Sequence, residues 1–383
     1  SNPFYTIILA GIYIHIPYCK KACSYCNFHF STSQKDKSEM LKCINLELEI
    51  REAYLKNKSI DTIYFGGGTP SVLNKSEIKR ILKTISNNYK VKETAEITLE
   101  CNPDDLDEQK LIHIKEVGIN RLSVGVQSFN ESDLKLMNRS HSTKQSEKCL
   151  KLANQIGFEN ITVDLIYGLP NQNLSDWINN LQKMFAFNIS HFSAYALTIE
   201  DKTTLKHLVE KKKINLPDEQ MVLTQFKALM QSAKANGYVH YEISNFAKES
   251  CFSKHNSAYW QSKHYLGIGP SAHSYNGKSR SWNISSNKKY IQNFLEGKVY
   301  AQQEKLSKKT QYNEYIFTSI RTIWGVNTKT IKTQFGIKYQ SYFLKEVQKW
   351  KQQKRIKNSK EVYTLTNSGK FIADSIAADL FMI

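Results

Sequence analysis

The 383-residue chain has no uninterrupted apolar run of the roughly eighteen residues that a bilayer-spanning helix requires, so no stable membrane insertion is expected. The opening apolar stretch, residues 4–14, is broken by Gly11. It has no basic region before it and no small-residue cleavage site after it, which argues against a secretion signal. No methionine stands ahead of Ser1 and Asn2, and the pair reads as the remnant of a removed tag. Acidic residues are in short supply: 35 Asp and Glu against 53 Lys and Arg give a formal charge of +18. The lysines are dispersed among Asn, Ile and Ser and form no patch. The excess therefore reads as a basic surface that favours carboxylates and phosphates, and no nucleic-acid partner is expected. Cysteines are too few and too uneven for a disulfide framework: seven, an odd number, with three inside eight residues. That clustering points to metal or redox chemistry in a cytoplasmic protein. Cys43, Cys101, Cys149 and Cys251, scattered singly, read as small buried apolar residues.

What is present is a globular composition, 40% hydrophobic and 11% aromatic, in a chain long enough for a large domain and a smaller one. Short runs rich in Ile, Val, Tyr and Phe at 11–16, 62–65, 96–100, 121–126, 161–166 and 191–197 predict strands. Amphipathic stretches at 38–55, 75–87, 107–116, 132–137, 143–156 and 175–185 predict helices between them. Six strand–helix units imply parallel βαβ crossovers, and an incomplete (β/α)6 barrel in place of a closed eight-stranded one. The composition shifts near Gly237 to a segment dense in Gly, Ser, His, Asn and aromatics. From about Lys305 helices are predicted at 313–324 and 340–352. Two short strands follow within 355–365, around a turn at 358–360, and then a last helix, 368–381, with Asn367 as N-cap. The expected division is a partial barrel, 1–236, an extension, 237–304, and a winged-helix-like α+β module, 305–383. Residues 301–383 carry 15 Lys/Arg against 6 Asp/Glu. The turn lacks a Gly-rich or Arg-rich wing, so a structural or lid role is expected over nucleic-acid contact.

The segment Tyr13-Ile-His-Ile-Pro17-Tyr-Cys19-Lys-Lys-Ala-Cys23-Ser-Tyr25-Cys26 carries the strongest signal. Three thiolates on one short loop can each take one iron of a [4Fe-4S] cluster and leave the fourth iron open to a ligand. No fourth cysteine follows at the distance that would close the cluster. An amino acid's amino and carboxylate groups can chelate such an iron, as S-adenosylmethionine (SAM) does. The loop follows the first predicted strand, where parallel barrels place their active sites. The competing reading is a zinc site completed by His15 or His29. Gly66-Gly67-Gly68-Thr69-Pro70 closes the second strand and would let backbone approach an amino-acid moiety. Glu100, Gln127, Asp164 and Ala196 end or nearly end strands three to six, a ring able to bind ribose, methionyl and adenine groups.

These strings resemble the radical-SAM superfamily and, within it, the family of the oxygen-independent coproporphyrinogen III oxidase with its heme chaperone HemW branch. Alongside the cluster loop, the matching strings are Phe65-Gly-Gly-Gly-Thr-Pro-Ser, Glu100-Cys-Asn-Pro103 and Gly118-Ile-Asn-Arg-Leu-Ser-Val-Gly-Val-Gln-Ser128. Asn138-Arg-Ser-His141, Asp164-Leu-Ile-Tyr-Gly-Leu-Pro170 and Tyr241-Glu-Ile-Ser-Asn-Phe-Ala247 extend the match almost end to end. The resemblance implies a SAM pocket of Tyr13, Gly67, Gly68, Thr69, Glu100, Gln127, Arg139 and Asp164, with Tyr25 and Ala196 as further cofactor contacts. Cys26-Asn27-Phe28 lacks the extra cysteine of the oxidases, and His255-Asn-Ser-Ala-Tyr259-Trp260 matches the His-Asn-x-x-Tyr-Trp string of the chaperones. His255 is thereby implied as an axial ligand of heme, with His273 as the second choice. The implied function is binding of cluster, SAM and heme, and transfer of heme to an acceptor protein that the sequence does not identify. The alternative is the oxidase itself, a radical decarboxylation of propionates; a radical-SAM enzyme with another substrate is the third reading. Whether the chain forms a homodimer is left open.

Overall fold

In the computed structural model the described residues are 8–55, 58–298 and 301–383. Ser1, Asn2 and the start of the apolar opening stretch lie outside them. Six parallel strands follow one another in the sheet in chain order: β1 (Ile8–Ile16), β2 (Lys58–Gly67), β3 (Val91–Cys101), β4 (Arg121–Gln127), β5 (Asn160–Tyr167) and β6 (His191–Ala196). Helices α1 (Lys37–Ile50), α2 (Lys75–Asn88), α3 (Glu108–Glu116), α4 (Glu131–Leu136), α5 (Thr143–Ile156) and α6 (Leu174–Phe185) connect them. The predicted (β/α)6 arrangement is the one observed.

Local chemistry explains these elements. α2 opens on a reciprocal capping box between Asn74 and Glu77 and buries Ile78, Ile81 and Ile85, one stripe of a 3.6-residue period. α5 opens on the same device with Ser142 and Gln145 and stops at Gly157, whose φ of 88° suits the residue without a Cβ. The strands alternate. Ile63 and Phe65 of β2 are buried in the large apolar core, whereas Thr62 and Tyr64 face His255 and Glu100. Each fully buried Ile or Phe contributes about 2 kcal/mol, so this core dominates the stability.

The segment that follows extends this sheet on both sides. After α7 (Thr204–Glu210) and α8 (Glu219–Ala235), the hairpin β7 (Val239–Glu242) and β8 (Asn245–Ala247) adds antiparallel to β6. α9 (Lys254–Trp260) then leads to β9 (His264–Ile268), which pairs parallel with β1 on its free side. β10 (His273–Tyr275), β11 (Ser279–Asn283), α10 (Asn287–Leu295) and β12 (Ala301–Lys305) follow, and their strands carry the sheet outward to twelve. The His- and aromatic-rich segment thus builds both edges of one sheet. Its strands of three to five residues are too short to show a period.

The last part has its own core of Tyr312, Ile316, Ile331, Phe343, Val347 and Ile376. Its elements are α11 (Lys308–Ile320), β13 (Val326–Asn327), α12 (Thr328–Phe335), α13 (Ile337–Gln352), β14 (Ile356–Ser359), β15 (Val362–Leu365), α14 (Asn367–Lys370) and α15 (Ala373–Asp379). The expected N-cap, Asn367, is the first helical residue. The cap is Thr366, whose side chain accepts from the Gly369 amide, and the expected last helix breaks into α14 and α15. Arg321, at the end of α11, docks this part on the sheet: its Nε lies 2.9 Å from the buried Glu242 carboxylate. Cys43, Cys101 and Cys149 are buried, but Cys251 is only half-buried, in the turn that follows β8. No helix among the described residues is long and apolar enough to cross a membrane.

Candidate functional site

The cluster loop leaves the carboxyl end of β1 and is tied at its neck, where Ser31 donates to Pro17 O (2.8 Å) and Cys19 to Ser31 O (3.0 Å). Its far side is held by the segment after α4: Ser24 donates to Met137 O and Leu136 O, and Asn138 Nδ2 to Ala22 O at 2.7 Å. Cys19, Cys23 and Cys26 are all half-buried. Thr69 Oγ1 donates to Cys19 Sγ (3.3 Å) and Arg139 Nη1 to Cys23 Sγ (3.2 Å). Burial pushes the Cys19 thiol up to about 11, against the Thr69 hydrogen bond, with Cys23 and Cys26 raising it further. Thiols of this kind are deprotonated by the metal they bind. Sulfurs on a pre-shaped loop, met by a hydroxyl and a guanidinium, fit an iron–sulfur cluster. The zinc reading loses His15, which spends both ring nitrogens inside the protein, Nε2 on His29 O (2.9 Å) and Nδ1 on Tyr13 OH (3.1 Å).

The other residues gather beside this loop. Glu100 accepts from Tyr64 OH (2.8 Å) and from the Gly67 amide (3.2 Å). Burial lifts its carboxyl to about 7, the Tyr64 hydrogen bond opposing and Asp164 adding. The glycines serve the protein as much as a ligand. The Gly68 amide donates to Ile16 O, and a Cβ there would stand 2.7 Å from Tyr18 O. Only glycine lets β2 cross the cluster loop so closely. Arg139 reaches Tyr25 OH (3.5 Å), Asn102 Oδ1 (2.8 Å) and Gly125 O (2.9 Å). Its Nε is buried without a partner among the described residues, a donor suited to the carboxylate of an amino acid. Gln127 has a left-handed backbone (φ 66°) and sits with Arg139 around Gly125. Asp164 accepts from Ser123 Oγ (3.1 Å), and burial raises its carboxyl. Ala196 ends β6 and is exposed, so only its backbone can recognise a ligand.

A cavity of about 770 Å³ opens between the cluster loop and α9. Phe28 and His29 line it from the loop side, Tyr13, His15 and Thr62 from the strands, and His255 and Tyr259 from α9. Tyr265, His273 and Arg280 line it from the added strands. Its volume is that of a cofactor pocket. His255 is held from three directions. Its Nδ1 lies 2.8 Å from Thr62 Oγ1, its ring stacks on Tyr64 with centroids 4.9 Å apart, and its amide donates to Glu96 Oε1 at 3.0 Å. Burial, with Arg121 adding, lowers the ring to about 3, so it is neutral at physiological pH. No hydrogen bond to Nε2 is made among the described residues, and a neutral Nε2 lone pair is what a metal ligand requires.

Sequence reasoning missed Thr62, Tyr64, Glu96, Asn102 and Arg121, the residues that orient the named ones. The available signal was the alternation Thr62-x-Tyr64-x-Gly66 and Glu96-x-Thr98-x-Glu100, polar residues on one face of strands that are otherwise buried.

Comparison with known proteins agrees with this geometry. Residues 13–184 match the radical SAM superfamily model. The heme chaperone HemW of Bacillus subtilis (strain 168) is 33% identical over 371 residues, 96% of this chain and 98% of that protein. HemW of Lactococcus lactis is 32% identical over 375 residues, covering 95% and 97%. The solved coproporphyrinogen III oxidase HemN of Escherichia coli, a radical SAM enzyme, superposes with a TM-score of 0.85 at 24% identity, over 99% of this chain and 91% of that one. That likeness concerns the fold. The chain therefore belongs to the radical SAM superfamily and, within its coproporphyrinogen III oxidase-like family, to the heme chaperone HemW branch.

Proposed function

We propose that this chain is a cytoplasmic heme chaperone that binds a [4Fe-4S] cluster, SAM and heme and passes heme to an acceptor protein. The observation that carries the reading is the cavity between the cluster loop and α9, with His255 fixed in it as a neutral imidazole. Cys19, Cys23 and Cys26 would hold the cluster. Arg139, Glu100, Gln127, Asp164, Thr69, Gly67, Gly68, Tyr13, Tyr25 and the backbone of Ala196 would hold SAM. A cluster with SAM supplies one-electron chemistry when bound. The residues described here orient and shield: Thr69 and Arg139 donate to the Sγ atoms of Cys19 and Cys23, Glu100 supplies an acceptor, and Thr62 holds the His255 ring at Nδ1. Phe28 and Tyr259, both exposed at the cavity, offer flat apolar surface to a macrocycle. The partial barrel, 1–236, would carry cluster and SAM, residues 237–304 the heme, and 305–383 a lid. Nucleic acid has no part in this reading.

The test is anaerobic reconstitution, then a heme titration in parallel with incubation of the same sample with SAM, reductant and coproporphyrinogen III. Stoichiometric heme binding without protoporphyrinogen, weakened in His255→Ala and intact in iron content, supports the chaperone. Protoporphyrinogen formed over many turnovers would establish the oxidase instead. In Cys23→Ala the brown cluster absorption should be lost; retention of full iron content rejects the ligand assignment.

A further inference from the structure

The cavity has a charge pattern that its aromatic residues do not explain. Lys263 and Arg280 line it, and no Asp or Glu does so among the described residues. Lys263 is exposed and makes no ion pair among the described residues. Arg280, on β11, already holds a carboxylate: its Nη2 lies 2.9 Å from Glu314 Oε1 of α11, with both side chains about a third exposed or less. Glu304 stands opposite Arg280 in the register of β11 and β12 and repels Glu314. Burial raises the Glu314 carboxyl, which the Arg280 contact only partly offsets. Glu314 is therefore a poorly placed anion that a better one can displace.

We propose that Arg280 recognises a carboxylate of the cavity's ligand, here a heme propionate, and that Glu314 occupies the guanidinium in its absence. Lys263 is placed to meet a second carboxylate. The inference rests on the heme reading above and adds to it the diacid as the recognised form. It also gives the module that begins at α11 a link to occupancy. When the ligand's carboxylate takes the guanidinium fork, Glu314 is released and α11 loses its hold on β11. A planar fork suits this exchange because a guanidinium can pair with a carboxylate from either source, and Glu314 holds it by one contact only.

Heme and its dimethyl ester, with both propionates blocked, separate the possibilities in absorbance titrations of the full, reconstituted chain. The unaltered protein should prefer the diacid by about tenfold or more, as expected for a charge-assisted pair. Arg280→Gln should remove most of that preference with the heme spectrum unchanged, because iron coordination stays with His255. Glu314→Gln should tighten the diacid several-fold and leave the ester alone, which keeps the idea testable if Arg280→Gln folds poorly. An undiminished preference in Arg280→Gln, or an unchanged diacid affinity in Glu314→Gln, overturns the proposal while heme binding itself stands. Failure of the unaltered protein to bind either form overturns the heme reading, and this proposal with it.

Discussion

Replacing Glu96 by Gln tests whether the helix that presents His255 is held from within the sheet. The Glu96 carboxylate is buried and accepts the backbone N–H groups of Lys254 and His255, each at 3.0 Å. Arg121, only 1% exposed, has its Nε 3.8 Å from the same carboxylate, and its hydrogen-bond partners Asn160 and Thr162 are neutral. An amide can accept from only one of the two N–H groups with good geometry and turns its own N–H toward the other. Losing a charged acceptor costs about 1.5–3 kcal/mol, and stranding a buried guanidinium costs about 3–5 kcal/mol. Both effects run through one carboxylate and overlap, so the expected loss is about 3–5 kcal/mol. It should be read as a lower urea midpoint at unchanged slope. The double variant Glu96→Gln/Arg121→Met should recover at least about 1 kcal/mol relative to the sum of the singles. Heme affinity should fall in the single variant because α9 loses its anchor. A loss below about 1 kcal/mol, or strict additivity, would show that Glu96 does not hold this helix.

Three further outcomes are expected. Thr62→Val removes the hydrogen bond to His255 Nδ1 at nearly constant volume and should weaken heme binding roughly tenfold with the fold intact; unchanged affinity denies Thr62 that role. His15 and His141 are buried, and burial is the main cause that lowers each to about 4. The unfolded chain takes up protons below about 6.5 and the fold does not. Their stabilisation is therefore full above that pH and lost toward pH 4, about 2 kcal/mol each by pH 5. A flat stability profile between pH 6.5 and 5 in the cluster-free protein would contradict this. Glu100 runs the other way. Its folded value of about 7 makes the ionised carboxyl unfavourable as pH rises from about 4.5 through 7. Glu100→Gln should therefore stabilise the ligand-free protein by up to about 3 kcal/mol at pH 8, with no difference at pH 4 and with SAM binding lost; destabilisation at pH 8 refutes it.

The sheet was legible in the sequence where strands were long and apolar, because outward Ile and Val faces packed under amphipathic helices follow from periodicity alone. It was illegible at both edges. β8 and β10 have three residues each, and their pairing with β7, β9 and β11 is set by tertiary neighbours. The thiol spacing and the glycine triplet announced the loop. Glu96 and Arg121 did not announce themselves, since a charged residue in a strand ordinarily points to water. Here that face turns into a polar interior, where an acid and a base can be buried only together. The His255 string was found by resemblance, and its reason, a ring clamped by Thr62 and Tyr64, belongs to residues almost two hundred positions earlier.

β1 is paired on one side with β2 and on the other with β9, Ala10 opposite His264 through Ile14 opposite Ile268. During synthesis the strand that launches the cluster loop therefore waits for a neighbour made some 250 residues later. Until that neighbour leaves the ribosome, the edge of β1 stays open and the cavity beside Phe28 has no far wall. Iron delivered to a nascent chain would meet three thiols on an unfinished scaffold. With the proposed cluster, the topology would favour an order of assembly in which the barrel, its added strands and α9 are complete before the cluster is enclosed.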